Sequence, residues 1–311
     1  MKNFVIGRYQ NGNYNVTMLH DGTKIRQTEE DEFIPEFPEN ADVKITDKCS
    51  QGCPFCYEGC TKEGKHSALM NGAEFAQPWM NILHPYTELA INGNDLDHPQ
   101  LDAFLLKMQE MKVFVNVTVN QNQFMKHLDY LKYLTEKKMI WGLGVSLVKA
   151  TPELFEALKN FPNAVIHTIA GLLTEPTIQL LMENKVKVLV LGYKNLGRGI
   201  EYKKKFNDDL SYGFYILKNM LPEMIKRCKV VSFDNLAIEQ LGVKELLFKD
   251  KQKEWDEFYM GDDGNFTLYI DAVSQKFSKN SCMPADERFP IEGRSMTEMF
   301  NFIRDRYNIK H

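Results

Sequence analysis

The residues best suited to chemistry in this sequence are three cysteines, Cys49, Cys53 and Cys56, spaced as Cys-x3-Cys-x2-Cys. They follow an apolar lead at Val43 and Ile45 that has the pattern of a strand. Thiolates at this spacing on a short loop can converge on one soft metal centre. Three of them satisfy three irons of a cubane iron–sulfur cluster, which normally takes four thiolates. One iron then stays open for a ligand from outside the protein, as catalytic zinc sites keep an open position.

Two other interpretations of these cysteines have to be weighed. Cys60 follows Cys56 by four positions, so the four cysteines of this stretch could close a tetrahedral zinc site. Structural zinc sites usually come as two separated ligand pairs, and the sequence has no second Cys-x2-Cys or His-x3-His pair. A disulfide framework is disfavoured by six cysteines in 311 residues and by the lack of a secretory signal. The sequence therefore favours the iron–sulfur cluster, with Cys60 as a bystander.

The stretch from Lys44 to Tyr57, including the aromatic Phe55 directly before the third cysteine, resembles the signature of the radical S-adenosylmethionine (radical SAM) superfamily. The resemblance implies a 4Fe-4S cluster on the three cysteines, with S-adenosylmethionine (SAM) on its unique iron. It also implies an enzyme that cleaves SAM reductively to a 5′-deoxyadenosyl radical, which abstracts hydrogen from a substrate. An electron donor such as flavodoxin or ferredoxin is the partner implied for this chemistry. Phe55 is placed by the same resemblance among the cofactor-binding residues.

Composition and charge restrict the partners of the protein. The chain has 311 residues, 43% of them hydrophobic, which is ordinary for a globular protein that buries a sizeable core. Lys and Arg total 38 against 42 for Asp and Glu, a net charge of −4, so no basic face for a nucleic-acid backbone is expected. No apolar run reaches the length of a membrane span, and the first residues lack the apolar region of a signal peptide. We expect a cytoplasmic protein that acts on a small-molecule substrate.

From residue 41 the sequence alternates short apolar runs with amphipathic stretches, which is the pattern of βαβ units and a parallel sheet. The predicted strands span residues 42–46, 87–92, 112–119, 140–147, 164–170 and 186–192. Amphipathic stretches such as 102–111 and 152–160 are predicted helices between them. Six such strands are what the partial (β/α)6 TIM-like barrel of the radical SAM superfamily requires, with the active site at the C-terminal mouth of the strands. We therefore expect an α/β fold with a radical SAM core over residues 41–200.

Segments on either side of this core complete the predicted domain organisation. Residues 1–40 alternate as strands around a hairpin turn at 11–13 and are predicted to form a small N-terminal β appendage. Residues 201–311 are predicted to close the substrate site as a C-terminal extension. Within this extension we expect a strand at 229–233, a hairpin over 257–279 with its turn at 261–264, and a closing helix at about 295–307.

Polar residues and glycines at the ends of the predicted strands are the candidates for binding SAM. After the second strand, Asn92-Gly93-Asn94-Asp95 resembles the Gly-Gly-Glu motif of the superfamily, which holds the amino group of SAM, although only one glycine is kept. A glycine lets the backbone approach a ligand closely, and a carboxylate suits an ammonium group. The same residues also fit a type I′ Asn-Gly turn. Together with Phe55, the candidate cofactor-binding residues are Gly93, Asn94, Asp95, Asn116, Ser146, Thr168 and Gly192.

A second polar stretch follows the strand predicted at 229–233. Its carboxylates and amides are costly to bury unless they bond a polar ligand. The candidate substrate-binding residues are Asp234, Asn235, Glu239 and Gln240. Asp234 fits equally well as the N-cap of a helix. A flat substrate with several hydrogen-bond donors, such as a 7-deazaguanine base, suits this set. A queuine lyase-type enzyme that cleaves a C–N bond in queuosine salvage is therefore the substrate hypothesis.

Cys282 is the candidate catalytic residue near the end of the chain. A thiol is a good hydrogen-atom donor and could quench a product radical, whereas a small buried residue is the alternative interpretation. A radical SAM enzyme that modifies a peptide or protein is the remaining functional alternative, with the first 40 residues as its candidate recognition module. The sequence shows no cysteine pattern for auxiliary clusters, which disfavours the peptide-maturing enzymes that carry them.

Overall fold

The structure is a computed structural model that describes residues 4–92, 95–259 and 261–310, with Asp95 described through its backbone only. The strands are β1 (Val5–Asn11), β2 (Tyr14–Leu19), β3 (Lys24–Gln27), β4 (Asn40–Lys44), β5 (Met70–Asn71), β6 (Glu74–Phe75), β7 (Glu88–Ile91), β8 (Phe114–Asn120), β9 (Gly142–Ser146), β10 (Ala164–Ile169), β11 (Lys187–Leu191), β12 (Val230–Phe233), β13 (Thr267–Asp271), β14 (Lys276–Ser278) and β15 (Phe289–Pro290). The α-helices are α1 (Leu101–Glu110), α2 (Gln121–Lys126), α3 (Leu128–Glu136), α4 (Pro152–Leu158), α5 (Glu175–Glu183), α6 (Arg198–Lys205), α7 (Asn207–Arg227), α8 (Asn235–Leu241), α9 (Val243–Leu247), α10 (Gln252–Phe258) and α11 (Met296–Arg306).

A ten-stranded sheet with the order β12-β11-β10-β9-β8-β7-β4-β13-β14-β15 forms the centre of the fold. The neighbouring strands from β12 to β13 are all parallel. Each of the six predicted strand ranges overlaps one strand of this sheet, which confirms that part of the prediction. The sheet also contains β12 and β13, which are not hydrogen-bonded to each other. The fold is thus mixed α/β with a large parallel sheet, and its closure into a partial barrel stays a prediction.

One face of the parallel strands forms the main hydrophobic core. Val117, Val145, Ile166 and Val188, from four neighbouring strands, are at most 1% exposed. They share this core with residues of the crossing helices, such as Leu131 of α3. Helices are needed there because parallel strands can be joined only by long crossover connections. Among the described residues, no helix combines the length and apolarity that a bilayer crossing needs.

The other face of the same strands is polar. Thr118 of β8 is in register with Gly144 of β9, and Ser146 of β9 is in register with His167 of β10. The side chains of Thr118, Ser146 and His167 are half-buried, whereas their neighbours along each strand are buried or face the helices. Because side chains alternate between the two faces of a strand, these polar residues lie on the side opposite to the valine-rich core.

Strands β1, β2 and β3 form a separate antiparallel sheet that packs near the amino ends of strands in the large sheet. Tyr9 and Tyr14 of this small sheet share a hydrophobic cluster with Phe114, the first residue of β8, and with Phe266, directly before β13. The hairpin turn between β1 and β2 lies at residues 12–13, inside the predicted turn. Because Phe114 and Phe266 mark the amino ends of their strands, the small sheet lies on the side of the molecule opposite to the carboxyl ends of the parallel strands.

The C-terminal segment corrects one prediction. The strand expected at 229–233 is present as β12, and α11 begins after its cap Ser295 as expected. A hairpin does lie within the predicted range 257–279, but the turn expected at 261–264 precedes its first strand instead of joining its two strands. The observed hairpin joins β13 to β14 through residues 272–275. Strand β13 pairs in parallel with β4, and its residue Asp271 lies beside Lys44, 227 positions earlier.

Candidate functional site

The cysteine loop, residues 47–61, begins shortly after the carboxyl end of β4. Backbone hydrogen bonds hold its two ends together. The N–H of Cys49 donates to the carbonyl of Thr61 over 2.7 Å, and the N–H of Thr61 donates to the carbonyl of Asp47 over 3.1 Å. The two ends of the loop are therefore joined by hydrogen bonds into a closed loop, which carries Cys60 and the three cysteines of the motif.

The four thiols of the cysteine loop are free and half-buried. Burial is the main cause that raises the pKa of Cys49 and of Cys53. A hydrogen bond from the Cys60 thiol lowers the pKa of Cys56 instead, so Cys60 contacts the third cysteine of the motif. Within residues 4–92, 95–259 and 261–310, no three His, Cys, Asp or Glu side chains converge on a position for a single metal ion.

Helix α2 borders one side of the cysteine loop. Asn120, the last residue of β8, caps this helix by accepting the N–H of Asn122 over 2.8 Å. The side-chain nitrogen of Asn120 lies 4.0 Å from the sulfur of Cys53, and that of Asn122 donates to the side chain of Gln51 over 3.0 Å. The carboxyl end of β8 therefore contacts the cysteine loop, although β7 separates β8 from β4 in the sheet.

Helix α6, which follows β11, borders the other side of the loop. The backbone N–H of its first residue, Arg198, donates to the carbonyl of Cys56 over 3.0 Å. Its guanidinium Nε donates to the carbonyl of Cys53 and its Nη1 to the carbonyl of Cys60, each over 2.9 Å. Gly197 has a φ of 52°, and a Cβ at this position would lie 2.5 Å from the carbonyl oxygen of Tyr57. The start of α6 is thus packed directly against the loop backbone.

A buried ion network supports the cysteine loop from β4 and β13. The ammonium of Lys44 pairs with Glu58 over 3.0 Å and with Asp271 over 3.4 Å. Arg288 pairs with Asp271 over 3.2 Å, and the Tyr269 hydroxyl donates to Glu58 over 2.9 Å. The charges of this network compensate one another, so its role is to hold the loop in place.

His167 is the central side chain of the polar face of the sheet. Its ring lies over Gly144, where a Cβ would come within 2.4 Å of the ring atom Cε1 and 2.7 Å of Oγ1 of Thr118. Glycine at position 144 therefore makes room for the imidazole. Burial lowers the pKa of His167 to about 4, so the ring is neutral at physiological pH. A neutral imidazole can donate one hydrogen bond and accept another.

Asp42 and Lys194 bring opposite charges into the same interior space. Asp42, in the middle of β4, keeps accessible surface although protein surrounds its carboxylate, so it faces an internal space. Burial raises the pKa of Asp42 to about 6, against the opposing effect of the Lys194 ammonium. The ammonium of Lys194 lies 4.0 Å from the ring centre of Tyr57 and donates to the Ser281 hydroxyl over 2.7 Å. Lys194 therefore connects the cysteine loop to the segment that carries Cys282.

Cys282 lies in this same neighbourhood. Its thiol is half-buried, and burial raises its pKa, with Lys194 opposing and nearby carboxylates reinforcing the shift. Asn280 fixes the backbone here, because its side-chain oxygen accepts the N–H of Cys282 over 3.0 Å and its side-chain nitrogen donates to Asp263 over 2.6 Å. The structure thus brings the predicted catalytic thiol to Asp42 and Lys194, neither of which the sequence pointed to.

Asp234 and Asn235, two of the predicted substrate-binding residues, bond other parts of the protein. Asp234 is the N-cap of α8, and its carboxylate accepts the N–H of Ala237 over 2.7 Å and that of Gly192 over 2.8 Å. Burial raises the pKa of Asp234. Asn235 donates to Asp263 over 2.8 Å, which ties the start of α8 to the loop before β13. The helix-cap interpretation therefore accounts for the main contacts of Asp234.

The other two predicted substrate-binding residues are further along α8. Gln240 pairs with the backbone of Tyr193 in both directions, accepting its N–H over 2.8 Å and donating to its carbonyl over 2.9 Å. Glu239 is exposed to solvent. The polar stretch predicted as a ligand site thus mainly fastens α8 to the segment after β11.

Three of the predicted cofactor-binding residues already have partners within the protein. Asn116 lies in the lower half of β8, where its side-chain oxygen accepts the first N–H of β9 over 2.8 Å. Thr168 is buried and donates to a backbone carbonyl of β11 over 3.4 Å. A Cβ on Gly192 would lie 2.4 Å from the side chain of Leu236, so helix packing accounts for this glycine.

The remaining cofactor candidates have different positions. Ser146 is half-buried at the carboxyl end of β9, on the polar face. Phe55 packs edge-on against Tyr202 of α6, with ring centres 5.7 Å apart. Gly93 and Asn94 lie outside the described residues, as does the side chain of Asp95.

Sequence reasoning missed four residues of this site: Asp42, Asn120, Lys194 and Arg198. A signal was available for Asp42, because it interrupts an apolar alternation between Ala41 and Val43 just as Asn116 does in β8. Lys194 and Arg198 follow β11 in a polar segment where nothing local distinguishes them from solvated side chains.

The residues of the cysteine loop fit an iron–sulfur cluster with an exchangeable ligand. Free thiols are the donors that such clusters use, and one closed loop supplies them. Directly after β7, the side-chain oxygen of Asn92 is buried without a hydrogen-bond partner among the described residues. The N–H of Asn92 donates to the carbonyl of Val43 over 3.2 Å, beside the point where the cysteine loop begins. An orphaned acceptor at this place suits a ligand that carries hydrogen-bond donors, such as an ammonium group.

Several solved structures share this fold, among them the following two. One is SuiB from Streptococcus suis bound to S-adenosylmethionine, with 14% sequence identity and a TM-score of 0.55 over 87% of this chain and 68% of that one. The other is histidine-tagged anSMEcpe with bound AdoMet, with 12% identity and a TM-score of 0.52 over 88% of this chain and 81% of that one. At identities this low the likeness extends to the fold alone. No protein-family model and no curated protein sequence matches the chain.

Proposed function

We propose that this protein is a radical SAM enzyme in which Cys49, Cys53 and Cys56 hold a 4Fe-4S cluster and SAM binds to its open iron. The observation that carries the proposal is the set of three free thiols on one closed loop at the carboxyl end of β4. The fold adds support, because SuiB and anSMEcpe, two proteins of known structure with a similar fold, are bound to SAM in their structures. Single features of this kind are common, whereas the spacing, the loop and the fold together point to one chemistry.

The bound cluster, reduced by a donor such as flavodoxin or ferredoxin, supplies the electron that cleaves SAM to the hydrogen-abstracting 5′-deoxyadenosyl radical. The protein itself binds and orients the ligands and excludes water from the site. The closed cysteine loop, with Arg198 and Asn120 on its two sides, fixes the positions of the three sulfurs. On the polar face, the neutral ring of His167 offers one donor and one acceptor beside Ser146.

SAM is proposed to bind between the cysteine loop and the ends of β7 and β9. Gly93, Asn94 and Asp95 are kept in this proposal as partners of its amino group, and Asn92 adds an unpaired oxygen next to them. Ser146 is the best remaining candidate for the ribose or carboxylate, because Asn116, Thr168 and Gly192 have partners of their own.

The substrate is proposed to be a small polar molecule held near Asp42, Lys194 and Cys282. A 7-deazaguanine base that undergoes C–N cleavage suits this space, because its ring N–H and amino groups can donate to the carboxylate of Asp42. Burial raises the pKa of Cys282, so its sulfur keeps the hydrogen that a radical quench requires. Giving that hydrogen atom to a product radical would leave a thiyl radical, which one electron and one proton from the donor system would restore.

Anaerobic reconstitution with iron and sulfide tests the cofactor. We expect about four irons and four sulfides per chain and a broad absorbance band in the visible region. We also expect 5′-deoxyadenosine to form when SAM and a reductant are added. The variant with Cys49, Cys53 and Cys56 all replaced by Ala should lose all three signals, whereas Cys228→Ala should keep them. One bound zinc without 5′-deoxyadenosine would overturn the proposal in favour of a metal-binding protein.

Ligand-induced thermal stabilisation in the presence of SAM tests the substrate. Binding to the folded state alone raises the midpoint in proportion to the logarithm of ligand concentration over Kd. We expect 7-deazaguanine bases to raise the midpoint of the wild-type protein, and Asp42→Asn to reduce the rise. An unchanged midpoint with every 7-deazaguanine base would reject this substrate class while leaving the cofactor proposal intact.

A further inference from the structure

Arg198 contacts the cysteine loop at three places. Its backbone N–H and two guanidinium nitrogens reach the carbonyls of Cys56, Cys53 and Cys60, all within 3.0 Å. The side chain is half-buried and belongs to the first turn of α6. A residue in the first turn of α6, which follows β11, thus bonds three cysteine carbonyls of the loop that follows β4.

A rigid support holds Arg198 in this position. The Tyr193 hydroxyl donates to the carbonyl of Gly199 over 2.7 Å, and Gln240 of α8 pairs with the Tyr193 backbone on both sides. Gly197 allows the chain to touch the loop backbone, since a Cβ there would collide with the carbonyl of Tyr57. These contacts therefore hold the backbone around Arg198 in place and orient its guanidinium toward the cysteine loop.

The contacts of Arg198 differ from those of an ordinary surface arginine. A planar guanidinium with several fixed N–H donors can bond two carbonyls at once, which a lysine ammonium on a flexible stem does less well. Hydrogen bonds from a charged donor are stronger than neutral ones. Removing the guanidinium would leave the carbonyls of Cys53 and Cys60 without these donors and would remove the link between these two parts of the cysteine loop.

We propose that Arg198 is a positioning residue that keeps the cysteine loop in its metal-receiving shape before and after a cluster is bound. This inference rests on the proposed function for the identity of the cluster, but the effect on the loop concerns this chain alone. Without the guanidinium the loop opens, its thiols become more accessible, and a bound cluster is lost faster.

The first test measures the loop without any metal. Apo-protein is treated with N-ethylmaleimide under anaerobic conditions, and the labelling rate of each cysteine is followed by peptide mass spectrometry. The charge of Arg198 also lowers the pKa of the loop cysteines, so the rate constant of each thiolate is taken from the pH profile of its labelling. In Arg198→Met, the thiolate rate constants of the loop cysteines should be about tenfold higher than in the wild type, because loss of a charge-assisted hydrogen bond is worth at least that factor. Cys228, which is buried outside the loop, serves as the internal reference and should keep its wild-type rate.

Two further variants make this result specific. Arg227→Met removes an exposed arginine at the end of α7, away from the cysteine loop, and should leave the labelling rates of the loop cysteines unchanged. Arg198→Lys keeps the charge but not the planar fork, so its loop cysteines should react at an intermediate rate. Equal loop labelling in Arg198→Met and wild type would overturn the proposal. If Arg198→Met does not fold, as judged by circular dichroism, Arg198→Lys decides, and wild-type rates in it overturn the proposal.

The second test measures the loss of iron from reconstituted protein to an excess of a ferrous chelator. We expect Arg198→Met to release its iron about tenfold faster than wild type and Arg227→Met to release it at the wild-type rate. Failure of the wild-type protein to take up iron would count against the proposed function, and the labelling rates would still decide the role of Arg198. Iron release at the wild-type rate in Arg198→Met would contradict the inference.

Discussion

Two carboxylates only three positions apart, Glu39 and Asp42, sit in opposite environments at the two ends of the sheet interior. Glu39, directly before β4, is fully buried and is bonded by Arg26 over 2.7 Å and by the Tyr14 hydroxyl over 2.7 Å. Asp42 has accessible surface, and the nearby ammonium of Lys194 bonds Ser281 instead. Burial acts to raise the pKa of Glu39, but these partners outweigh it and lower that pKa, whereas burial raises the pKa of Asp42 to about 6.

The difference separates structure from function within one strand. At the amino end, the small sheet of β1–β3 supplies every partner that a buried charge needs, and that end is closed. In the middle of β4, Asp42 keeps accessible surface, and the ammonium of Lys194 near it contacts Tyr57 of the cysteine loop. A protein usually tolerates such incompletely satisfied charge where a ligand will complete it. The following predictions test this contrast, starting with the largest effect.

Replacing Glu39 by Ala should destabilise the protein by about 3–5 kcal/mol, because it removes the buried carboxylate that pairs with Arg26 and accepts from the Tyr14 hydroxyl. The charges affected are those of Arg26 and Lys24, the latter 3.5 Å from Glu39. The free energy of unfolding is measured by urea denaturation. As a control, Glu32→Ala breaks an exposed pair with Lys310 and should change stability by less than about 1 kcal/mol. Equal losses in the two variants would remove the contrast between the two ends.

Replacing Asp234 by Ala should cost about 2 kcal/mol, from the lost cap of α8 and from the unsatisfied N–H of Gly192. Asp234→Asn keeps an acceptor oxygen and should lose about half as much. Urea denaturation gives the free energy, and the SAM-dependent thermal shift with 7-deazaguanine gives binding. Unchanged stability together with a lost ligand shift would show that Asp234 binds the ligand rather than capping α8, contrary to its contacts.

Replacing Asp42 by Asn should stabilise the protein at pH 7.5 by about 1 kcal/mol, a value reduced for solvent contact on its accessible side. Because the folded-state pKa is raised to about 6, wild-type stability from protonated Asp42 is fully present below the unfolded value near 3.8 and is lost as pH rises through 6. The gain in the variant should therefore disappear at pH 4. Thermal unfolding at both pH values measures it, with the exposed Asp286→Asn as control. Destabilisation at pH 7.5 would reverse the interpretation.

Much of the sheet could be predicted because each strand carries a local signal. The apolar runs of β4 and β7–β11 are short, regularly spaced and separated by amphipathic stretches, and the observed strands lie within about two residues of the predicted bounds. The turn of the β13–β14 hairpin was misplaced, because Gly261 and Gly264 give a turn signal that precedes β13 rather than following it. The parallel pairing of β13 with β4 has no local signal, since the two strands are far apart in sequence.

The candidate site could be predicted only where motif and chemistry coincide. The cysteines are recognisable by spacing, and Cys282 was chosen for its thiol, which the structure places near Lys194. The polar stretch after β12 misled, because capping and ligand binding use the same side chains, and Asp234 serves the helix. Arg198 could not be found from sequence, since its three partners are carbonyls and carry no side-chain signature.

The contact between Arg198 and Cys53 joins positions 145 residues apart, which has a consequence for biosynthesis. At ribosomal speeds of about 5–20 residues per second, the cysteines emerge roughly 7–30 s before the arginine that bonds them. Throughout that interval the cysteine loop of the nascent chain lacks this contact. Loading of the proposed cluster is therefore expected after translation has passed α6.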